Sequence, residues 1–384
     1  MTSSGIGVGS VPGAWERLAT RAAFFVAGFA TASWAPLVPL AKARIGLDEG
    51  GLGGLLLCLG LGSVCAMPFS GGFAARFGCR KAMLFVATLA LLALPMMATA
   101  PTAASLAAVL FLFGAGVGVM DVVMNIQAVI VEKASGKAMM SGFHGMYSVG
   151  GIAGAGGMTA LLSFGLSPLA AIAVIVAIAA IAIYGTSPGM LPYGGEEDSP
   201  AFALPRGPVL LLGALCFILF LAEGAVLDWS GVLLNAERGL DRDRAGLGYA
   251  AFATTMTLGR LFGDSIVRFL GPRAILFLGG LCAASGFALA ALVPSWPVAI
   301  LGFALVGVGA SNVVPVMFSA AGRQTAMPSN LAVAAVTTMG YAGILAGPAL
   351  IGFAAHGLSL PTALLLVAIL LLAVAFSARA ASRE

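Results

Sequence analysis

The chain has 384 residues, of which 60% are hydrophobic and 9% charged, with a formal net charge of +4 and a mean hydropathy of +1.06. Soluble domains carry roughly 25% charged residues, so this chain cannot cover a water-facing surface. The same composition excludes a disordered chain, a disulfide scaffold and a nucleic-acid binder. Charge-free stretches run over 22–41, 50–75, 82–120, 138–195 (with His144 inside), 274–322 and 324–378. A hydrocarbon core near 30 Å takes about 20 helical residues. The first two stretches therefore hold one span each, and the other four hold two. Turn signals divide the long ones at Pro95 and Pro101, Ser167-Pro168, Pro294 and Pro297, and Leu358 to Pro361. Two further apolar segments, about 208–234 and 245–267, bring the expectation to twelve membrane helices. An outer-membrane barrel is excluded, because these runs do not alternate polar with apolar.

An even helix count puts both termini on one side. If that side is the cytoplasm, its segments hold thirteen Lys and Arg, from Arg17 and Arg21 to Arg379 and Arg383. The other side holds five: Lys42, Arg44, Arg238, Arg242 and Arg244. This bias predicts cytoplasmic termini. The Gly/Ser-rich N-terminal tail is expected to be mobile, and the first span is too long for a cleaved leader. The five cysteines are scattered without a CxxC pair and read as small membrane-buried hydrophobes.

The chain repeats itself. Gly116-Val117-Gly118-Val119-Met120-Asp121 in the fourth helix returns as Gly307-Val308-Gly309-Ala310-Ser311-Asn312 in the tenth. Gly72, Arg76, Gly78 and Arg80 after the second helix return after the eighth as Arg268, Gly271 and Arg273, with one inserted residue. The longest polar interruption, 188–207, separates the copies. The expected organisation is a six-helix bundle over 1–187, a cytoplasmic linker over 188–207 and a second six-helix bundle over 208–384, a parallel 6+6 repeat.

With these features the chain resembles the major facilitator superfamily over about residues 17–380. More narrowly, Met120–Asn125, Phe143–Ser148, Glu223–Ser230 and Gly259–Asp264 resemble the branch around bacterial fucose permease and its inner-membrane relatives. The resemblance implies an all-α major facilitator fold and alternating access, with gating loops at Gly72, Arg76, Gly78, Arg80, Arg268, Gly271 and Arg273. Two positions depart from the pattern. Ala75 stands where the family usually places an acid that braces the cytoplasmic gate. The first helix offers only Thr31, Ser33 and Trp34 where sugar-type members use a carboxylate.

Charges inside the bilayer cost roughly 2.5–3.5 kcal/mol on insertion scales and mark cavities or partners. Asp121, Glu223, Arg260 and Asp264 qualify, with His144 as a neutral fifth. Asp121, with Asn125 one turn on, reads either as a proton-coupling acid or as a hydrogen-bonded core residue. Glu223 has no cation in its own helix and needs a partner from elsewhere or from a ligand. Arg260 and Asp264 can pair at i, i+4, and Asp264 can also reach Arg268. Arg260 suits a carboxylate ligand. His144, near Tyr147 and Ser148, reads as a proton relay to Asp121 through a water held by Asn125, or as a packing histidine; it has no second ligand for a metal. Asn312 replaces Asp121 in the second half, with Tyr341 on the following helix. Trp34, Tyr147, Asn125, Arg260, Asn312 and Tyr341 are therefore the expected solute contacts, and Asp121, His144, Glu223 and Asp264 the expected proton carriers.

The expectation is a secondary active transporter of a small polar solute in the bacterial inner membrane, proton-coupled and monomeric, with no cofactor or metal. The sequence shows no HExxH, GxSxG or Walker loop, which argues against an enzyme or an ATP-driven pump. An efflux antiporter of the same fold, and a non-transporting sensor or scaffold, stand as alternatives.

Overall fold

The computed structural model describes residues 13–196 and 199–382. The N-terminal tail, residues 197 and 198 of the linker, and Arg383 lie outside the described residues. Among the described residues twelve helical rods follow in order, the first six being α1 (Ala14–Ile45), α2 (49–77), α3 (79–99), α4 (Ala103–Ser135), α5 (Met140–Ser163) and α6 (Pro168–Gly185). After the linker come α7 (Pro208–Glu237), α8 (247–270), α9 (Pro272–Leu292), α10 (Trp296–Arg323), α11 (Ser329–Gly357) and α12 (Leu360–Ala381). Several carry internal breaks. α1 passes through a 3-10 turn at Ala35–Leu37, α8 turns at Phe262, and α10 is interrupted at Ser311 and Asn312. The rods form two six-helix bundles, α1–α6 and α7–α12, with no strand among the described residues.

The duplication is visible in backbone geometry. Residues 72–81 were expected to form a loop, but the chain passes from α2 to α3 at a single residue, Gly78, with φ 78° and ψ 156°. Its repeat partner Gly271, between α8 and α9, has φ 80° and ψ 157°. Left-handed φ is costly for any residue with a Cβ, so a glycine reverses each chain in the least space. The other ends of these hairpins are also matched. Arg44, at the end of α1, donates to the carbonyls of Met97, Ala98 and Ala100 at the end of α3. Arg238, after α7, donates to Ala290 and Ala291 at the end of α9. Each guanidinium satisfies helix C-terminal carbonyls that have no intrahelical partner.

Small residues set the helix spacing. An added Cβ on Gly28 of α1 would lie 2.1 Å from the Tyr147 carbonyl of α5, and one on Gly150 of α5 would lie 2.1 Å from the Phe25 carbonyl. In the second bundle a Cβ on Gly343 of α11 would lie 2.2 Å from the Phe217 carbonyl of α7. Backbones in contact in this way are the usual route to tight packing where lipid tails remove the hydrophobic drive. The result is α1 on α5 and α7 on α11, with α2, α4, α5, α8, α10 and α11 meeting across the space between the bundles.

Candidate functional site

The charged residues of the spans converge between the two bundles. Asp121 on α4 is 8% exposed and lies beside the Tyr341 hydroxyl on α11, across the bundle interface. Farther from the linker, the same α4 stripe packs on α2 through Gly114, whose Cβ would lie 1.9 Å from the Leu59 carbonyl. The stripe therefore faces protein, and where α2 no longer covers it Asp121 meets the opposite bundle. Tyr147 on α5 lies near Thr31 on α1 and also near Asp121. The Tyr341 ring lies edge-on to Phe220 of α7 at 5.8 Å.

The partner that Glu223 lacks in its own helix is Arg260, with Nη2 3.5 Å from Oε1. The arginine Nη1 also donates to Ser148 Oγ of α5 at 3.3 Å, and its Nε to the Ser311 carbonyl of α10 at 3.4 Å. Arg260 thus ties α7, α8 and α10 of its own bundle to α5 of the other. Of the two acids on α4 and α7, it is Glu223 that Arg260 sits on. Tyr249 of α8 flanks this pair and remains exposed, and Glu223 Oε1 accepts no hydrogen bond.

Several expected relationships do not form. Asp264 pairs with neither Arg260 nor Arg268. The turn at Phe262 takes it off the Arg260 face, and it accepts the Gly142 amide at the start of α5 at 2.9 Å. Arg268 instead donates to Ser265. Asn125 does not bridge Asp121 and His144: its Nδ2 donates to the Asp121 carbonyl of its own helix at 2.9 Å, and its Oδ1 has no partner. His144 faces the Met140 carbonyl through Nδ1 and lies between Phe24 of α1 and Phe318 of α10, 5.1 and 5.5 Å away. Aromatic rings surround it, and among the described residues no contact joins it to Asp121. Asn312 holds the break in α10 against the Gly259 carbonyl of α8 at 3.1 Å rather than joining Asp121. Trp34 is buried at the bend of α1, and its Nε1 has no partner.

The side chains that sequence reasoning missed as members of this cluster are Tyr249 and Ser311. Nothing local marks them. Their helices meet only through tertiary packing.

The remaining side-chain hydrogen bonds between the bundles, among the described residues, lie on the side of the linker. Ser319 of α10 donates to Glu132 of α4, and the same carboxylate accepts the Met139 and Met140 amides at 2.8 Å. Lys133 Nζ reaches the Gly322 carbonyl at 2.8 Å, and Asn330 Nδ2 reaches the Gly71 carbonyl at 3.0 Å. The linker is built into this end. Arg80 donates to the carbonyls of Pro188 and Met190, and the Arg80 and Cys79 amides donate to Leu191 and Tyr193. A Cβ on Gly72 would lie 2.6 Å from Ala201 Cα, and one on Gly78 2.0 Å from the Pro192 carbonyl. Arg76 stacks over Phe77 at 5.4 Å. Arg273, the counterpart of Arg80, finds no linker and lies instead in a surface cavity with Arg379 of α12. Among the described residues, the side-chain hydrogen bonds that join the bundles sit at mid-depth or on the linker side. Farther out, Gly60 of α2 meets Leu345 of α11 through apolar contact.

The sequence matches the Major Facilitator Superfamily over residues 22–241. An uncharacterized MFS-type transporter of Yersinia pestis is 56% identical over 97% of both chains. The crystal structure of the E. coli fucose:proton symporter covers 96% of this chain and 98% of its own, with a TM-score of 0.82 at 16% identity. A structure of the same transporter in the outward conformation covers 96% and 99%, with a TM-score of 0.80 at 16% identity. The likeness of fold, the internal repeat and the match of sequence agree: the chain belongs to the major facilitator superfamily.

Proposed function

We propose that the chain is a proton-coupled secondary active transporter of a small polar solute, working by alternating access in the bacterial inner membrane as a monomer. Residues 1–187 and 208–384 are its two moving bodies, joined by the 188–207 linker. Both termini and the linker face the cytoplasm, in line with the excess of Lys and Arg on that side. The geometry then corresponds to a state closed at the cytoplasmic end. Ser319, Lys133, Asn330 and Asp264 fasten the bundles there, and Asp121 with Glu223 and Arg260 forms the solute and proton site at mid-depth.

One observation carries the reading. Arg260 lies against Glu223, so Asp121 is, among the described residues, the acid with no cation at ion-pair distance, and the Tyr341 hydroxyl of the opposite bundle lies beside it. A lone carboxylate between two mobile bodies is stabilised by a proton or by a solute donor, and its environment changes when the bundles part. Asn125 and Tyr147 stand beside it as solute contacts. The supply of donors and acceptors fits a polar solute.

The test is made in proteoliposomes. Solutes that raise the thermal stability of the purified protein are first selected from sugars, nucleosides, amino acids and drugs. Each is then added outside vesicles containing a trapped pH dye. Solute-dependent proton movement supports the proposal. Stabilising solutes that cross without moving protons would exclude coupling, and stabilising solutes that do not cross would exclude transport.

A further inference from the structure

The linker-side seam holds a second feature besides the contacts that close it. A crevice of about 550 Å³ opens between the bundles at the ends of α4, α8 and α10 and the start of α9. Four cationic side chains line it: Lys133 and Lys137 from the first bundle, Arg268 and Arg323 from the second. Among the described residues, the one acid in its wall is Glu132, whose carboxylate already accepts the Met139 and Met140 amides and the Ser319 hydroxyl. Asp264 lies nearby but is bound to the Gly142 amide. Lys133 spends one donor on the Gly322 carbonyl and Arg268 one on Ser265. An ammonium has three donors and a guanidinium five, so both keep donors for a ligand.

Orientation in the membrane calls for cations near helix ends on the cytoplasmic side, but not for their convergence from two bundles into one crevice. Basic pockets between membrane helices at the cytoplasmic face are suited to lipid headgroups. The start of α9 in the same wall adds the positive end of a helix dipole.

We propose that this crevice binds a phosphate-bearing anion, supplied by the headgroup of an anionic lipid in the adjoining leaflet or by a free phosphate compound. Such an anion contacts cations of both bundles at once. When the bundles part on this side the four cations separate, so the anion binds the closed state more tightly and shifts the protein towards it. The inference is independent of the solute carried at mid-depth.

The experiment uses the full chain purified in a neutral detergent. The probes are phosphatidylglycerol, phosphatidylcholine as a zwitterionic control, and inorganic pyrophosphate. Retained lipid is read by native mass spectrometry and stabilisation by thermal unfolding. Saturable retention of phosphatidylglycerol over phosphatidylcholine assigns the site to lipid; stabilisation by pyrophosphate alone assigns it to a soluble anion. Either supports the site. Lys137→Gln with Arg323→Gln should weaken the effective probe at least tenfold, whereas Lys137→Arg with Arg323→Lys should retain it and show that the fold survives. Arg17→Gln with Arg379→Gln, outside the crevice, should bind as the parent does. No preferential binding of either anion, or equal loss in the Arg17 and Arg379 variant, overturns the proposal.

Discussion

Asp264 on α8 caps the opposite bundle: its carboxylate accepts the backbone amide of Gly142, in the first turn of α5, at 2.9 Å. The contact fits closely, since a Cβ on Gly142 would lie 2.5 Å from Asp264 Oδ2. The related place in the other half, where α2 meets the start of α11, is held by the neutral pair Asn330 and Gly71. One latch is therefore charged and the other uncharged. A carboxylate at a helix N-terminus gains from both the amide and the dipole, whereas an amide-to-carbonyl bond gains only the former.

Asp264→Asn should loosen the linker-side closure. Charge-assisted hydrogen bonds contribute about 1.5–3 kcal/mol, and a state equilibrium moves tenfold per 1.4 kcal/mol. A cysteine at Ser319, inside the seam, should then react with a membrane-impermeant maleimide several-fold faster in inverted vesicles. Asn330→Ala should have a smaller effect. Equal rates with and without Asp264→Asn would show that the latch contributes nothing to closure.

Arg260 and Glu223 should be more costly to break than to replace together. Removing one partner of a buried ion pair leaves an uncompensated charge, at a typical cost of about 3–5 kcal/mol, whereas replacing both by apolar groups is often neutral. Arg260→Met should therefore lower the unfolding temperature of the purified protein more than Arg260→Met with Glu223→Leu. The single variant also loses the ties to Ser148 and Ser311. If the double variant is the less stable, the pair is held by its surroundings and not by its charges.

The helix count and the repeat were legible in the sequence because both are local. Apolar length fixes a span, and a glycine at the α2–α3 turn announces a left-handed residue wherever its copy stands. Gly78 and Gly271 accordingly share one conformation. The four charges within the apolar segments were legible because bilayers make charge expensive. Their partners were not. Asp264 leaves Arg260 because α8 turns at Phe262, a break that no Gly or Pro at that residue signals. Arg260 finds Glu223 because α7 and α8 pack side by side, which follows from the bundle and not from any spacing. His144 has the spacing of a relay and the surroundings of a packed ring, with Phe24 and Phe318 supplied from two distant segments. The linker, plain polar chain in the sequence, is ordered by Arg80 and the turn around Gly78.

Close helix contact predicts a further sensitivity. Gly343→Val should destabilise the second bundle, because even a Cβ there falls 2.2 Å from the Phe217 carbonyl and α7 and α11 must separate. Gly156→Val on α5, where a Cβ meets nothing within 4 Å, is the matched control. The expected readout is a drop of several degrees in the unfolding temperature for the first and little change for the second. Comparable drops would mean that helix propensity, and not contact, governs both.

The last prediction concerns Asp121 and decides where the proton travels. Asp121→Asn keeps the size and polarity of the side chain and its capacity to accept from Tyr341, while removing the titration. Solute binding and counterflow exchange between equal pools need no net proton movement and should persist. Accumulation against a gradient requires each cycle to carry a proton, and should be lost. Glu223→Gln serves as the comparison: it leaves Arg260 without its counter-charge, so binding and exchange should weaken together with accumulation. A split between exchange and accumulation in Asp121→Asn, with a joint loss in Glu223→Gln, assigns coupling to Asp121 and solute organisation to the Glu223–Arg260 pair. If Asp121→Asn still concentrates solute with an unchanged pH dependence, Asp121 is a structural hydrogen-bond partner of Tyr341, and the proton must be carried by Glu223 or Asp264.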